Sequence, residues 1–381
     1  MSARKQKQPA GGGRILQSQP IDGRETTPEL LQKAFLAYGG RELRSAWELL
    51  ERAVREDYTI VLTMSGAMTP ADLARSCLNP LLERGVVDLI CTTGANLYHD
   101  AHRSLGHILR EGSPAVDDRV LRKEQIIRIY DIFFNEQVLL ETDQFFSRVL
   151  QAPEFQRPMT TTECHFLLGK YLREVEERLG RADNPSLLAT CHRLQVPIFC
   201  GAPQDGSIFL NVVKLARLLG DAFRFRLDLA ADVFEYAAFQ YLAKSAGSRK
   251  MAVIILGGGV PKNYTLQGEP LMSQILEIDV GGFDIDIQIS DANVHTGGLS
   301  GCPAGEGHTW GKTTAEYVVN SVYCHGDVTQ LFPLLVHALA QSGLRREPRR
   351  LMARREEAVA HLAAAVEERR AGLAAGLEGR P

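Results

Sequence analysis

Reactive side chains crowd most densely between Ser290 and Tyr317, where Asp291, His295, Glu306, His308, Trp310 and Lys312 stand among six glycines. A stretch this long and this poor in core-forming residues is as a rule functional or disordered, and its tryptophan argues for order. An indole beside a lysine offers an apolar wall that desolvates the amine and a π face for a cationic ligand. Desolvation favours the neutral amine, the form that attacks an imine or carbonyl carbon, so Lys312 is a candidate covalent nucleophile. Composition alone leaves open the plainer alternative of a surface lysine beside a core tryptophan. His295 and His308 match no standard metal-ligand spacing and no cysteine is suitably placed, so no metal is expected.

A second set of chemically suggestive residues follows apolar runs. Ser65, Gly66 and Ala67 follow one run, Thr93, Gly94 and Asn96 another, and residues 201–207, with Asp205, a third. Gly257, Gly258 and Gly259 close a fourth. Small residues at strand ends let backbone amides approach a pyrophosphate or ribose, and Asp205 or Asp327 could accept from ribose hydroxyls. Any one of these ends also reads as a tight turn, and the usual G-x-G-x-x-G fingerprint is absent. Four of them in one chain point to a nucleotide cradle.

The elements that must position these groups are legible as strands alternating with helices. Residues 58–64, 86–92, 196–200 and 250–256 are β-branched apolar runs, with further strands expected in 284–290 and 319–325, and helical periodicity fills much of the space between. That pattern predicts an α/β fold, a Rossmann-like mostly parallel sheet with helices on both faces. Residues 1–25 read as a disordered arm and 26–344 as a single NAD-binding catalytic domain. Residues 345–381 read as a charged C-terminal helix, solvated and packed along a subunit surface. From Thr27 two packed helices are expected, broken at Gly39 and Gly40.

Composition removes several classes of function. The 381 residues carry 43 Lys and Arg against 46 Asp and Glu, a net charge of -3, far from the basic footprint of a nucleic-acid binder. Arginines and glutamates interleaved in the last helix argue against an RNA-binding arm. Seven scattered cysteines, with no C-x-x-C pair, indicate neither a disulfide framework nor a zinc knuckle and fit a reducing cytoplasm. No apolar stretch suits a signal peptide or a membrane span.

The segments Val87 to Gly94, Asp205 to Ser207, Ile254 to Asn263, Thr309 to Lys312 and Leu331 to Leu335, in this order and spacing, resemble the deoxyhypusine synthase family from about residue 55 to 340. The resemblance implies an NAD-dependent aminobutyl transferase acting on polyamines as a homotetramer, with active sites between paired subunits. Hydride passes from the polyamine to NAD, the lysine of Trp-Gly-Lys captures the imine, an acceptor amine displaces that lysine, and the hydride returns. It implies catalytic roles for Lys312, Trp310 and Glu306, and NAD contacts from Thr93, Gly94, Asp205, Gly258, Gly259, Ala292 and Asp327, to which the strand-end reading adds Gly66 and Ala67.

The departures from the family pattern are specific. Asn263 stands where the eukaryotic enzymes place a catalytic histidine, and Leu299 and Leu210 stand where they place aspartates. Asn263 cannot act as a base near neutral pH and Leu299 cannot pair with an ammonium, which leaves Asp291, His295 and His308 as candidate substrate groups. The wording from Gly257 to Asn263 and from Thr296 to Gly301 resembles the divergent prokaryotic branch, linked to small products such as homospermidine. The expectation is therefore a small amine acceptor. A true deoxyhypusine synthase acting on a protein lysine, or a catalytically silent NAD-binding scaffold, are the alternatives.

Overall fold

A computed structural model of the protein describes residues 14–378. Most of the expected N-terminal arm, residues 1–13, lies outside the described residues; residues 14–26 run without regular structure, and Arg14 donates to Gln32 on the helix that follows.

Six strands form one parallel sheet: β1 (Thr59–Met64), β2 (Leu89–Thr92), β3 (Ile198–Cys200), β4 (Met251–Leu256), β5 (Ile285–Ser290) and β6 (Ser321–His325). Their spatial order is β3-β2-β1-β4-β5-β6. Val61 pairs with Leu89 and with Val253, and Ile287 pairs with Ile254 and Val322, so every neighbour is parallel and in close register. Both faces of the central strands are buried, which is why β1 and β4 are continuous apolar runs rather than alternating ones. Ile60, Leu62 and Met64 feed the core on one side and Val61, Val253 and Ile255 the core on the other.

Helix α1 (Thr27–Ala34) and helix α2 (Tyr38–Arg55) precede the sheet. The chain breaks between them at Phe35 to Ala37, and Gly39 and Gly40 sit in the first turn of α2, a correction to the expected break. First-turn amides have no intrahelical partner, so glycine there costs little hydrogen bonding. Four further helices flank the cradle: α3 (Gly94–Ser104) after β2, α4 (Ser207–Leu219) after β3, α5 (Leu229–Ser245) before β4, and α6 (Gly259–Leu266) after β4. Helices α7 (Val328–Ser342) and α8 (Arg355–Glu378) complete the layers. Trp47 of α2 and Phe332 and Leu335 of α7 pack on one face of the sheet. Phe239 and Leu242 of α5 pack on the other with Ala358, Leu362 and Ala365 of α8. The C-terminal helix is thus part of a core, and its Arg355 pairs with the buried Glu235 of α5. Residues 105–160 add a three-stranded antiparallel sheet that the apolar patterning did not reveal. No helix among the described residues is long and apolar enough to cross a membrane.

The strand order reverses between β1 and β4, and open α/β sheets bind ligands in the crevice at the carboxyl ends of strands where the order reverses. At the opposite, amino-terminal edge the segment before α8 is strapped down by Arg346. Its guanidinium donates to the carbonyls of Gly85, Val86 and Tyr58 and pairs with Asp88, which is buried, at 2.8 Å. Replacing Arg346 with alanine strips a buried carboxylate of its main partner and is expected to cost about 3 kcal/mol, read as a lower urea midpoint with an unchanged slope.

Candidate active site

The strand exits are stitched to one another before any ligand is considered. Asn96, buried in the first turn of α3, accepts from the amides of Met68 and Thr69 and donates to the Thr92 and Thr93 hydroxyls. Thr93 caps α3 and donates to Gly66 O at 2.6 Å, tying the exit of β2 to the exit of β1. Gly94 and Gly206 touch backbone to backbone: a Cβ on Gly94 would stand 2.7 Å from the Gly206 Cα. Gly258 N donates to Ser65 Oγ at 3.1 Å and Gly259 N to Ser300 Oγ at 3.0 Å. Asp205 is exposed on the turn before α4. Asp327 is exposed as well and caps α7. Ala292, just past β5, takes a hydrogen bond from the Tyr323 hydroxyl. The nine cradle residues expected from the sequence therefore all lie at the carboxyl edge of the sheet.

Lys312 is set by backbone before its side chain is set by anything. Phe283 N donates to Lys312 O and Thr314 N to Phe283 O, both at 2.9 Å, so this segment lies against the approach to β5. Gly311 has φ +76°, and a Cβ there would meet the Glu269 carboxylate at 2.6 Å, which explains a glycine between Trp310 and Lys312. The Lys312 ammonium nitrogen lies 3.3 Å from Asn263 Oδ1 and 5.6 Å from the centre of the Trp310 ring. Burial pushes the Lys312 pKa below the ordinary lysine value, against the opposing pull of Glu306 and Glu269. Trp310 itself is 56% exposed, so it shields one side of the amine only.

Lys312, Trp310, Glu306 and Asn263 line one cleft of about 400 Å³. Asn263 belongs to α6, which begins at Gly259, so a single turn of helix joins the glycine end of β4 to the group that holds the lysine. The cleft also contains residues that the sequence reading did not single out: Lys262, Asp286 and, just beneath, Gln288. Lys262 Nζ donates to Gln288 Oε1 at 2.8 Å and to Cys302 O. Gln288 Nε2 donates to Gly257 O at 2.8 Å and Ser300 O at 2.7 Å. Burial lifts Asp286 to about 6, with Lys262 pulling the other way. The signal was present in β5, where Asp286, Gln288 and Ser290 alternate with isoleucines, polar residues on a strand buried on both faces.

The three proposed substrate groups are not brought to this cleft. His308 Nδ1 bonds Thr313 O at 2.7 Å and its ring packs on Tyr317, so it braces the turn. Asp291 and His295 are exposed on the loop after β5 and do not line the cleft wall. Among the described residues no group of three metal-ligating side chains is assembled.

The sequence profile described as deoxyhypusine synthase matches residues 30–339. The chain belongs to the deoxyhypusine synthase family. It is 42% identical over 345 residues to a deoxyhypusine synthase-like protein of Nostoc punctiforme, covering 90% of this chain and 87% of that one. A second deoxyhypusine synthase-like protein, from Nostoc sp., is 44% identical over 330 residues, 86% of this chain and 85% of its own length. Among solved structures, a candidate deoxyhypusine synthase from Entamoeba histolytica aligns over 88% of this chain and all of its own with a TM-score of 0.56; at 16% identity that likeness speaks for the fold alone. The mostly parallel sheet is thus the fold of this family member, and the family is one of transferases.

A partly buried amine with a lowered pKa is neutral at a lower pH than an exposed one. In this family member, a small aldehyde with cyanoborohydride at pH 8 is expected to alkylate Lys312 well ahead of the exposed Lys123. Peptide mass mapping checks the order, and the Lys312 rate should level off at a pH below that of an exposed lysine.

Proposed function

We propose that this protein is an NAD-dependent aminobutyl transferase that moves an aminoalkyl chain from a polyamine to a small amine through an imine on Lys312, giving a homospermidine-type product. The observation that carries this reading is the single helical turn between the Gly257 to Gly259 end of β4 and Asn263, which holds the half-buried Lys312 amine.

The crevice fits a dinucleotide on its own geometry. Gly66 and Gly259 are left-handed, and a Cβ on Gly259 would meet nothing within 4 Å, leaving room for a phosphate against the backbone. Helices α4 and α6 begin at this edge after Gly206 and Gly258, which carry no capping side chain, although the Ser300 hydroxyl takes the Gly259 amide. Gly66, Ala67, Thr93, Gly94, Asp205, Gly258, Gly259, Ala292 and Asp327 are the residues that would hold NAD. When bound, NAD supplies the acceptor of a hydride from the substrate carbon next to nitrogen and later its donor.

The chain's own residues do the rest. The neutral Lys312 amine adds to the oxidised substrate carbon and the departing amine leaves with a proton, so the aminobutyl group is now an imine of Lys312. The acceptor amine adds to the same carbon and the Lys312 nitrogen leaves with a proton, which frees the lysine and leaves a new imine that bound NADH would reduce. Trp310 presents an aromatic face to a cationic chain and Glu306 a carboxylate to its ammonium. Asn263 Oδ1 orients the Lys312 amine without titrating. Enclosure of the imine in the cleft keeps it from water.

Exposed apolar side chains on and beside α4, Leu210, Leu218 and Leu229, support association into the homotetramer, with active sites at subunit contacts. All seven cysteines are free thiols, which supports a cytoplasmic setting.

Incubation with spermidine and NAD followed by borohydride is expected to add an aminobutyl mass to Lys312, and Lys312→Ala to abolish it. Homospermidine formed from putrescine alone upholds the small-amine acceptor. Labelling of a protein lysine instead identifies a true deoxyhypusine synthase. NAD binding with neither adduct nor NADH absorbance from any polyamine identifies the silent scaffold, a reading favoured by the non-ionisable Asn263 and Leu299. In a separate test, Gly258→Ala, whose Cβ would stand 2.5 Å from the Ser300 Cα, is expected to weaken NAD binding about tenfold or more in a fluorescence titration.

A further inference from the structure

The cleft contains a carboxylate that nothing in the protein satisfies. Asp286, the second residue of β5, is 6% exposed and lines the cleft that holds Lys312. Among the described residues no donor lies within hydrogen-bond distance of it and no cation within 4 Å; its one electrostatic partner is the more distant Lys262. Lys262 directs its ammonium to Gln288 Oε1 and Cys302 O. A buried carboxylate without donors is costly and is retained where something else supplies the positive charge.

Its position says which part of a ligand that would be. Gln288 shares the face of β5 with Asp286 and is fixed to Gly257 O at the glycine turn. At about 3.3 Å per residue, Asp286 lies some 7 Å further from the carboxyl edge of the sheet. An aminoalkyl chain with its reacting carbon near Lys312 and the glycine turn would run along a wall that Asp286 shares with the apolar Val294, Leu299 and Leu266 and with polar groups such as Asn263 and Glu306.

We infer that Asp286 is the specificity-determining residue that accepts the free terminal ammonium of a diamine or polyamine, so that the cleft selects amines charged at both ends. Which end reacts rests on the transferase reading; the ammonium site itself does not. Calorimetry at pH 8 with the full chain, using 1,4-diaminobutane and 1-aminobutane, tests it without turnover. The wild type is expected to bind the diamine at least tenfold more tightly. In Asp286→Asn that preference is expected to vanish, with diamine affinity down about 10- to 100-fold, monoamine affinity unchanged and the melting temperature within a few degrees of wild type.

Equal binding of the two amines by the wild type overturns the assignment whether or not the variant folds. A diamine preference that survives in Asp286→Asn overturns it too, as does a loss of monoamine binding to the same extent, which marks Asp286 as a structural counter-ion for Lys262. A preference lost in the variant, with no borohydride adduct at Lys312 in the wild type, upholds the ammonium site and overturns the transferase reading.

Discussion

Four elements of the cleft are held together by one buried carboxamide. Gln288 donates to the carbonyls of Gly257 and Ser300 and accepts from Lys262, so the sheet, the glycine turn, the loop after β5 and helix α6 share a single junction. Each bond is worth about 1 kcal/mol net, but a buried amide left without partners costs about 1–3 kcal/mol per orphaned group, so the junction is all or none. The distance between the Asn263 oxygen and the Lys312 amine depends on this junction, because α6 is pinned at Lys262 and the loop at Ser300. Chemistry that tolerates only fractions of an ångström needs its reactive groups on pinned elements of this kind.

The sheet was legible because its central strands are buried on both faces and must be apolar throughout, and the crevice was legible because small residues cluster where those strands end. Lys312 and Trp310 stood out because an indole and an amine are rare company in a glycine-rich stretch. Asp286 and Gln288 were hidden by the same alternation that defines an ordinary strand: polar at every second position normally means water on that face. Only the covering by α6 and the loop before Lys312, contacts between residues 26 and 12 positions apart, makes those positions interior. The histidines misled for the converse reason. His308 meets its partner five residues away, the Thr313 carbonyl, and a local brace of that kind looks the same in sequence as a free imidazole.

Electrostatics in the cleft are arranged around two lysines that burial holds below the ordinary lysine value. Lys262 has little access to water and gives its protons to a carboxamide and a carbonyl, neither of which neutralises it. Burial lowers Lys262, the charge of Lys312 adds a little to that, and burial acts on Lys312 in the same direction. Glu306 and Glu269 oppose the effect at Lys312, and Glu269 is buried with one oxygen unpartnered beside Gly311. A near-neutral chain with a net charge of -3 can therefore hold a locally strong field without a basic or acidic surface to advertise it.

A carboxamide opposite the reactive amine divides orientation from proton transfer. Asn263 Oδ1 accepts a hydrogen bond from Lys312 whether the amine is charged or neutral, so it fixes direction over the whole pH range and contributes no titration of its own. Of the other polar groups of the cleft wall, Glu306, Asp286, Lys262 and Cys302 are of ionisable types. Burial places Asp286 near 6 and Cys302 above the ordinary thiol value, so of these two Asp286 is the one deprotonated at neutral pH. An exposed Glu306 and a buried Asp286 line the same cleft, so two carboxylates of very different access to water face one space.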